Sequence, residues 1–162
     1  MTSSLEIEKP VLSVEHLSLW YGDTQALDDI SLEIPERKIT AFIGPSGCGK
    51  STLLRCFNRL NDLLDEVSVE GDIRFAGSSI YDPEVDVNAL RKQIGMVFQR
   101  PNPLPLSIRE NVLFGYRLHE KDARKLGRAG REEIVEQALR QVLLWDTVKD
   151  RLDRRATGLS LE

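Results

Sequence analysis

The sequence predicts an α/β fold, and three observations carry that prediction. Ile39-Thr40-Ala41-Phe42-Ile43 is a short apolar run of the kind a buried parallel strand uses. A glycine-rich stretch, Gly44-Pro45-Ser46-Gly47-Cys48-Gly49-Lys50-Ser51, follows at once. Beyond Lys50 the apolar residues Leu53, Leu54, Phe57 and Leu60 recur at helical spacing. Strand, glycine-rich loop and helix in that order make one supersecondary unit.

The glycine-rich stretch reads G-x-x-x-x-G-K-S, the pattern of a loop that cradles the phosphates of a nucleoside triphosphate with Mg²⁺. Many donors must converge on one small anion, and backbone N–H groups converge only where no Cβ intervenes, hence Gly44, Gly47 and Gly49. Pro45, Ser46 and Cys48 complete the loop. Lys50 brings a full positive charge to the β and γ oxygens. The Ser51 hydroxyl is a hard ligand for Mg²⁺. Thr52 offers a second hydroxyl to the α-phosphate.

The remaining elements follow in chain order. Residues 1–10 read as a flexible tail. Val11, Leu12, Val14, Leu17 and Leu19 alternate loosely with polar residues, which predicts a half-exposed strand. Tyr21-Gly22-Asp23 is a turn. Ile30 to Ile34 alternates strictly and predicts a second strand, closed by Pro35. Gly71 to Phe75 begins another. Residues 87–93 predict a short helix. Ile94-Gly95-Met96-Val97-Phe98 predicts a second buried strand, ending at Gln99. Pro101, Pro103 and Pro105 then break regular structure. Ser107 with Glu110 forms a capping-box pattern that opens a helix. Ile134, Val135, Ala138, Leu139, Val142 and Leu143 form a helical stripe. A nucleotide-binding α/β part over 11–101 and a helical part over 102–160 are therefore expected.

Composition excludes several function classes. The 162 residues suffice for one real core, and 41% hydrophobic with 30% charged residues describes a globular chain. A formal net charge of −4 gives no basic field for nucleic acid. No stretch approaches the 18 or so apolar residues of a membrane span, so any link to a membrane goes through another subunit. Cys48 and Cys56 lack metal spacing and read as reduced thiols of a cytosolic protein. His16 and His119 are isolated and read as surface or packing residues. Val142-Leu143-Leu144-Trp145-Asp146 superficially fits an acidic metal motif, but its apolar positions continue the helical stripe, so it reads as a packed helix end.

Tyr21 ahead of the loop, Gln99 at a strand end after it, and the helical segment beyond line up in an order that resembles the ATP-binding subunits of ABC transporters, a P-loop NTPase fold. The resemblance implies that Tyr21 stacks on adenine. It implies that Gln99 reaches Mg²⁺ and the attacking water, so that Lys50 and Gln99 are the catalytic residues in the chain. The segments Thr40–Arg55, Phe57-Asn58-Arg59 and Gly95–Pro105 are similar to the phosphate-importer branch. That branch implies partners: a second ATP-binding subunit, transmembrane permease subunits and, indirectly, a solute-binding protein, with the ATPase on the cytoplasmic face of the membrane. Leu159-Ser160 look like the start of the signature L-S-G-G-Q, and Leu161-Glu162 resemble a cloning scar. The signature glycines, the second acidic motif with its catalytic glutamate, the switch histidine and the remaining sheet strands are then expected beyond the chain. Two other readings stay open: a small P-loop metabolite kinase with Arg124, Arg128 and Arg131 as a lid, and a non-catalytic nucleotide-binding module.

Overall fold

The computed structural model describes residues 10–100, 102–120 and 126–159. Residues 1–9 of the expected tail, Pro101, Arg124, and Ser160 with the expected scar at 161–162 lie outside the described residues, while Pro10, the last residue of that tail, already begins a strand. The chain divides into two compact units, Met1–Val97 and Phe98–Glu162.

The first unit is built on a four-stranded antiparallel sheet in the order β2-β1-β3-β4. Its strands are β1 (Pro10–Tyr21), β2 (Thr24–Pro35), β3 (Val67–Phe75) and β4 (Ser78–Ser79). β1 and β2 form a hairpin closed at Tyr21↔Thr24, with Gly22 at φ 54° in the turn. The loose alternation of β1 has a physical origin. Leu12 and Val14 are buried, then Leu17 and Leu19 are buried, so the inward phase shifts by one residue between Val14 and Leu17. The ladders to β2 and β3 both break register there. This is a β-bulge. Gly71 faces it at φ 90°, where a Cβ would stand 2.3 Å from the His16 carbonyl oxygen. Only glycine permits that approach. β3 begins at Val67, four residues ahead of the start the sequence predicts, because Val67 and Val69 share the inward parity of Ile73 and Phe75.

Behind the sheet lie α1 (Lys50–Cys56), a 3₁₀ turn over Leu60–Leu63, and α2 (Val87–Gln93). Leu17, Leu19, Ile73, Leu53, Cys56, Phe57, Ile80 and Leu90 make one apolar core. The 87–93 helix is found as expected, capped by the Asp86 carboxylate on the N–H groups of Asn88 and Ala89. α1 is shorter than the spacing predicts, because Phe57 ends it and Leu60 enters the 3₁₀ turn.

Two expectations fail. Residues 39–43 and 94–98 form no strand. Ile39 is 100% exposed, Ile43 94% and Val97 98%. Only Phe42 and Ile94 of these runs pack on the first unit's core. A strand needs a ladder partner, and among the described residues neither run has one.

The second unit is helical: α3 (Ile108–His119), α4 (Arg128–Gln141) and α5 (Trp145–Val148), followed by short 3₁₀ turns. Ile108, Leu113, Val135, Leu139, Val148, Leu152 and Ala156 form its own core. The capping box is realised in part, with Ser107 Oγ accepting from the Glu110 N–H at 3.2 Å. The predicted stripe stops early. Leu144 N–H donates to the Leu139 carbonyl and Leu143 N–H to the Arg140 carbonyl, with Leu143 left-handed at φ 59°. That is a helix-terminating Schellman motif. It leaves Val142 and Leu143 exposed beyond the helix, so the packed helix end expected there is corrected to an exposed C-terminal turn.

Candidate functional site

The loop of residues 44–49 runs from the unpaired 39–43 segment into α1. Gly47 and Gly49 sit at φ 83° and 88°, the left-handed region that L side chains rarely enter. Gly49 is the residue that caps α1. A Cβ there would stand 2.8 Å from both the Ala26 carbonyl oxygen and Leu27 Cδ2 of β2. The glycine therefore lets the start of β2 press against the joint between loop and helix. Around Gly47 nothing lies within 4 Å of where a Cβ would point, so that face of the loop is open to an approaching group.

Lys50 Nζ is folded back over the loop. It donates to the Gly44 carbonyl at 2.8 Å and the Pro45 carbonyl at 2.6 Å, and lies 3.4 Å from Cys48 Sγ. Ser46, Cys48 and Ser51 are exposed, and Thr52 is half-buried. The Lys50 cation, the open face at Gly47 and the exposed Ser51 thus lie within one short stretch at the start of α1. That set fits a triphosphate with Mg²⁺: a hard anion meets a cation and N–H donors, and a hard metal meets a hydroxyl oxygen. No group of three His, Cys, Asp or Glu side chains able to hold a metal occurs among the described residues, so a magnesium ion here would lean on Ser51 and the phosphate oxygens.

Tyr21 ends β1 on the same side. Its hydroxyl lies 3.2 Å from Asn61 Oδ1 and 3.4 Å from Thr52 Oγ1. Asn61 is buried and donates from Nδ2 to the Thr52 carbonyl at 3.1 Å and to Cys56 Sγ at 3.2 Å. Burial pushes the Cys56 thiol up to about 11, with the Asn61 hydrogen bond opposing the shift. Cys56 is therefore an inert packed thiol, while Cys48 is exposed on the loop. Burial likewise raises the Tyr81 hydroxyl far above its ordinary range, with Cys56 and Asp62 adding to the shift.

The structure thus brings together Tyr21, Gly44, Pro45, Ser46, Gly47, Cys48, Gly49, Lys50, Ser51 and Thr52 in the first unit. Gln99 belongs to the second unit, exposed in a bend. Sequence reasoning missed Asn61, the Ala26–Leu27 contact and the buried state of Asn58. None carries a motif of its own, and each becomes visible only through what it touches. Asn58 Nδ2 donates to the Ile94 carbonyl, and Arg91 donates to the carbonyls of Asn58 and Arg59, tying the end of α1 to the end of α2. Of the arginines considered for a kinase lid, Arg128 pairs with Glu132 at 3.0 Å and Arg131 donates to the Leu126 carbonyl. His16 pairs with Asp29 at the surface.

The loop, its glycines and the helix it caps define a P-loop NTPase domain. The ABC transporter family model matches residues 27–161, and the chain belongs to that family. It is 57% identical over 158 residues to the phosphate import ATP-binding protein PstB of Pseudoalteromonas translucida (strain TAC 125), covering 97% of this chain and 56% of that protein. It is 54% identical over 159 residues to phosphate import ATP-binding protein PstB 1 of Vibrio vulnificus (strain YJ016), covering 98% and 57%. The chain spans just over half the length of these relatives. Among the described residues no helix is long and apolar enough to cross a membrane.

Proposed function

We propose that this chain is the nucleotide-binding part of an ATP-binding subunit that energises an ABC importer of inorganic phosphate. The carrying observation is the loop itself, with Lys50 folded back onto the Gly44 and Pro45 carbonyls and the Gly47 face open. The importer and its solute rest on the similarity to proteins named for phosphate import.

In this reading the loop N–H groups and Lys50 take the β and γ phosphates. Ser51 would be a ligand for Mg²⁺, Thr52 takes the α-phosphate, the Tyr21 ring stacks on the base, and Gln99 has the role in metal and water contact that the family resemblance implies. Magnesium, when bound, neutralises charge on the terminal phosphates. Lys50 exchanges its two carbonyl partners for phosphate oxygens, a stronger charge-assisted pairing. Gln99 offers a neutral amide that contacts metal and water at once. In this reading the described residues supply nucleotide binding, and hydrolysis is an activity of the whole subunit. Its partners are a second ATP-binding subunit and the membrane permease, with a periplasmic or extracellular solute-binding protein acting indirectly through the permease, and the subunit sits on the cytoplasmic face of the membrane.

Titration with a fluorescent ATP analogue tests the site. Lys50→Ala abolishes or greatly weakens binding; unchanged affinity would mean the loop is not the site. Phosphate release by this chain stays at the Lys50→Ala background. Turnover above that control, scaling with protein concentration, would revive the kinase reading.

A further inference from the structure

One buried side chain joins Tyr21 to the first turn of α1. Asn61 is 2% exposed and sits in the 3₁₀ turn over Leu60–Leu63. Its Oδ1 carries no proton, so at 3.2 Å it accepts from the Tyr21 hydroxyl. Its Nδ2 donates to the Thr52 carbonyl and Cys56 Sγ. The Thr52 hydroxyl lies 3.4 Å from the Tyr21 hydroxyl and closes the ring of contacts. A buried carboxamide is costly unless its groups are paired, and here both ends are used. One end fixes a ring at the tip of β1, and the other fixes the backbone of the residue that faces the α-phosphate position.

We propose that Asn61 is a positioning residue for nucleotide recognition. It sets the height and tilt of the Tyr21 ring relative to the loop by gripping the Tyr21 hydroxyl and Thr52 together. The proposal rests on the reading that Tyr21 stacks on the base. In it the hydroxyl is the handle by which the ring is held.

The test compares Mg²⁺-ATP with Mg²⁺-tripolyphosphate, which has no base, by calorimetric titration of this chain and its variants. Tyr21→Phe keeps the ring and removes the handle; Asn61→Leu removes the grip. Each lowers the ratio of ATP to tripolyphosphate affinity by about two- to tenfold, the worth of one hydrogen bond. The double variant falls no further than the larger single loss, because both act on one bond. Should Asn61→Leu unfold, Tyr21→Phe still carries the test. A Tyr21→Ala variant that lowers the ratio while Tyr21→Phe leaves it unchanged would overturn the positioning role alone. A Tyr21→Ala variant with an unchanged ratio would overturn the stacking reading and this inference with it. Losses in Tyr21→Phe that are equal for both ligands would also overturn it, since a merely structural contact disturbs the loop without regard to the base.

Discussion

The first unit contains two kinds of extended chain with similar sequence character and opposite fates. β1 and β3 pair along their length and bury Leu17, Leu19 and Ile73 completely. The run over 39–43 and the first-unit residues 94–97 are as apolar, yet Ile39, Ile43 and Val97 face solvent. The difference is not propensity, since isoleucine and valine favour strands wherever they can pack. It is the presence of a partner. A β1-type segment finds its partner one tight turn away, at Tyr21↔Thr24. A parallel strand needs a partner brought by a long crossover, and the described residues supply none.

The largest expected effect breaks the two regions apart. Leu19→Ala or Ile73→Ala empties a fully buried site and costs about 2–5 kcal/mol in urea denaturation. Ile43→Ala in the unpaired run changes stability by no more than about 0.5 kcal/mol. Equal costs would mean that the 39–43 run is buried in solution. Amide exchange tests the same contrast, with slow exchange in β1 and fast exchange at 39–43 and 94–97.

A smaller effect is expected where the regions meet. Gly49→Ala places a Cβ against the Ala26 carbonyl in a left-handed backbone and costs on the order of 1–3 kcal/mol. Gly47→Ala carries the φ penalty without the collision, roughly 1 kcal/mol. Thermal unfolding of the pair separates backbone strain from contact; identical shifts would show that β2 does not press on the loop.

The last effect is invisible to stability assays. A thiol reagent at pH 8–9 modifies Cys48 quickly and leaves Cys56 unmodified, because Cys56 is buried and its thiol is pushed up to about 11. Two fast-reacting thiols per chain would show that the α1 core opens readily.

The local parts of this fold were legible in the sequence. The phosphate loop announces itself because its chemistry fixes residue types at fixed spacing. The hairpin β1–β2, the helix over 87–93 and the Ser107 cap follow from alternation, turn residues and capping. The unpaired runs were misread because a buried strand and an unpartnered one share one apolar pattern. The end of α4 was misread because its left-handed residue is Leu143, where glycine is the usual signal. Asn61 was illegible because its importance lies in three contacts made by residues 5 to 40 positions away.

The bulge in β1 reaches further than the sheet. A strand is a two-sided object, and parity decides which side each residue serves. Counting inward positions from Leu12 and Val14 without interruption would select His16, Ser18 and Trp20. The extra residue opposite Gly71 flips the count, so Leu17, Leu19 and Tyr21 turn inward together. The side chain presented to the loop is thus chosen five residues upstream by an odd step in the backbone. Were the same residues to run on in strict alternation, without the extra step, the tryptophan would stand at the site in place of the tyrosine beside it, with no change in any residue that touches the loop.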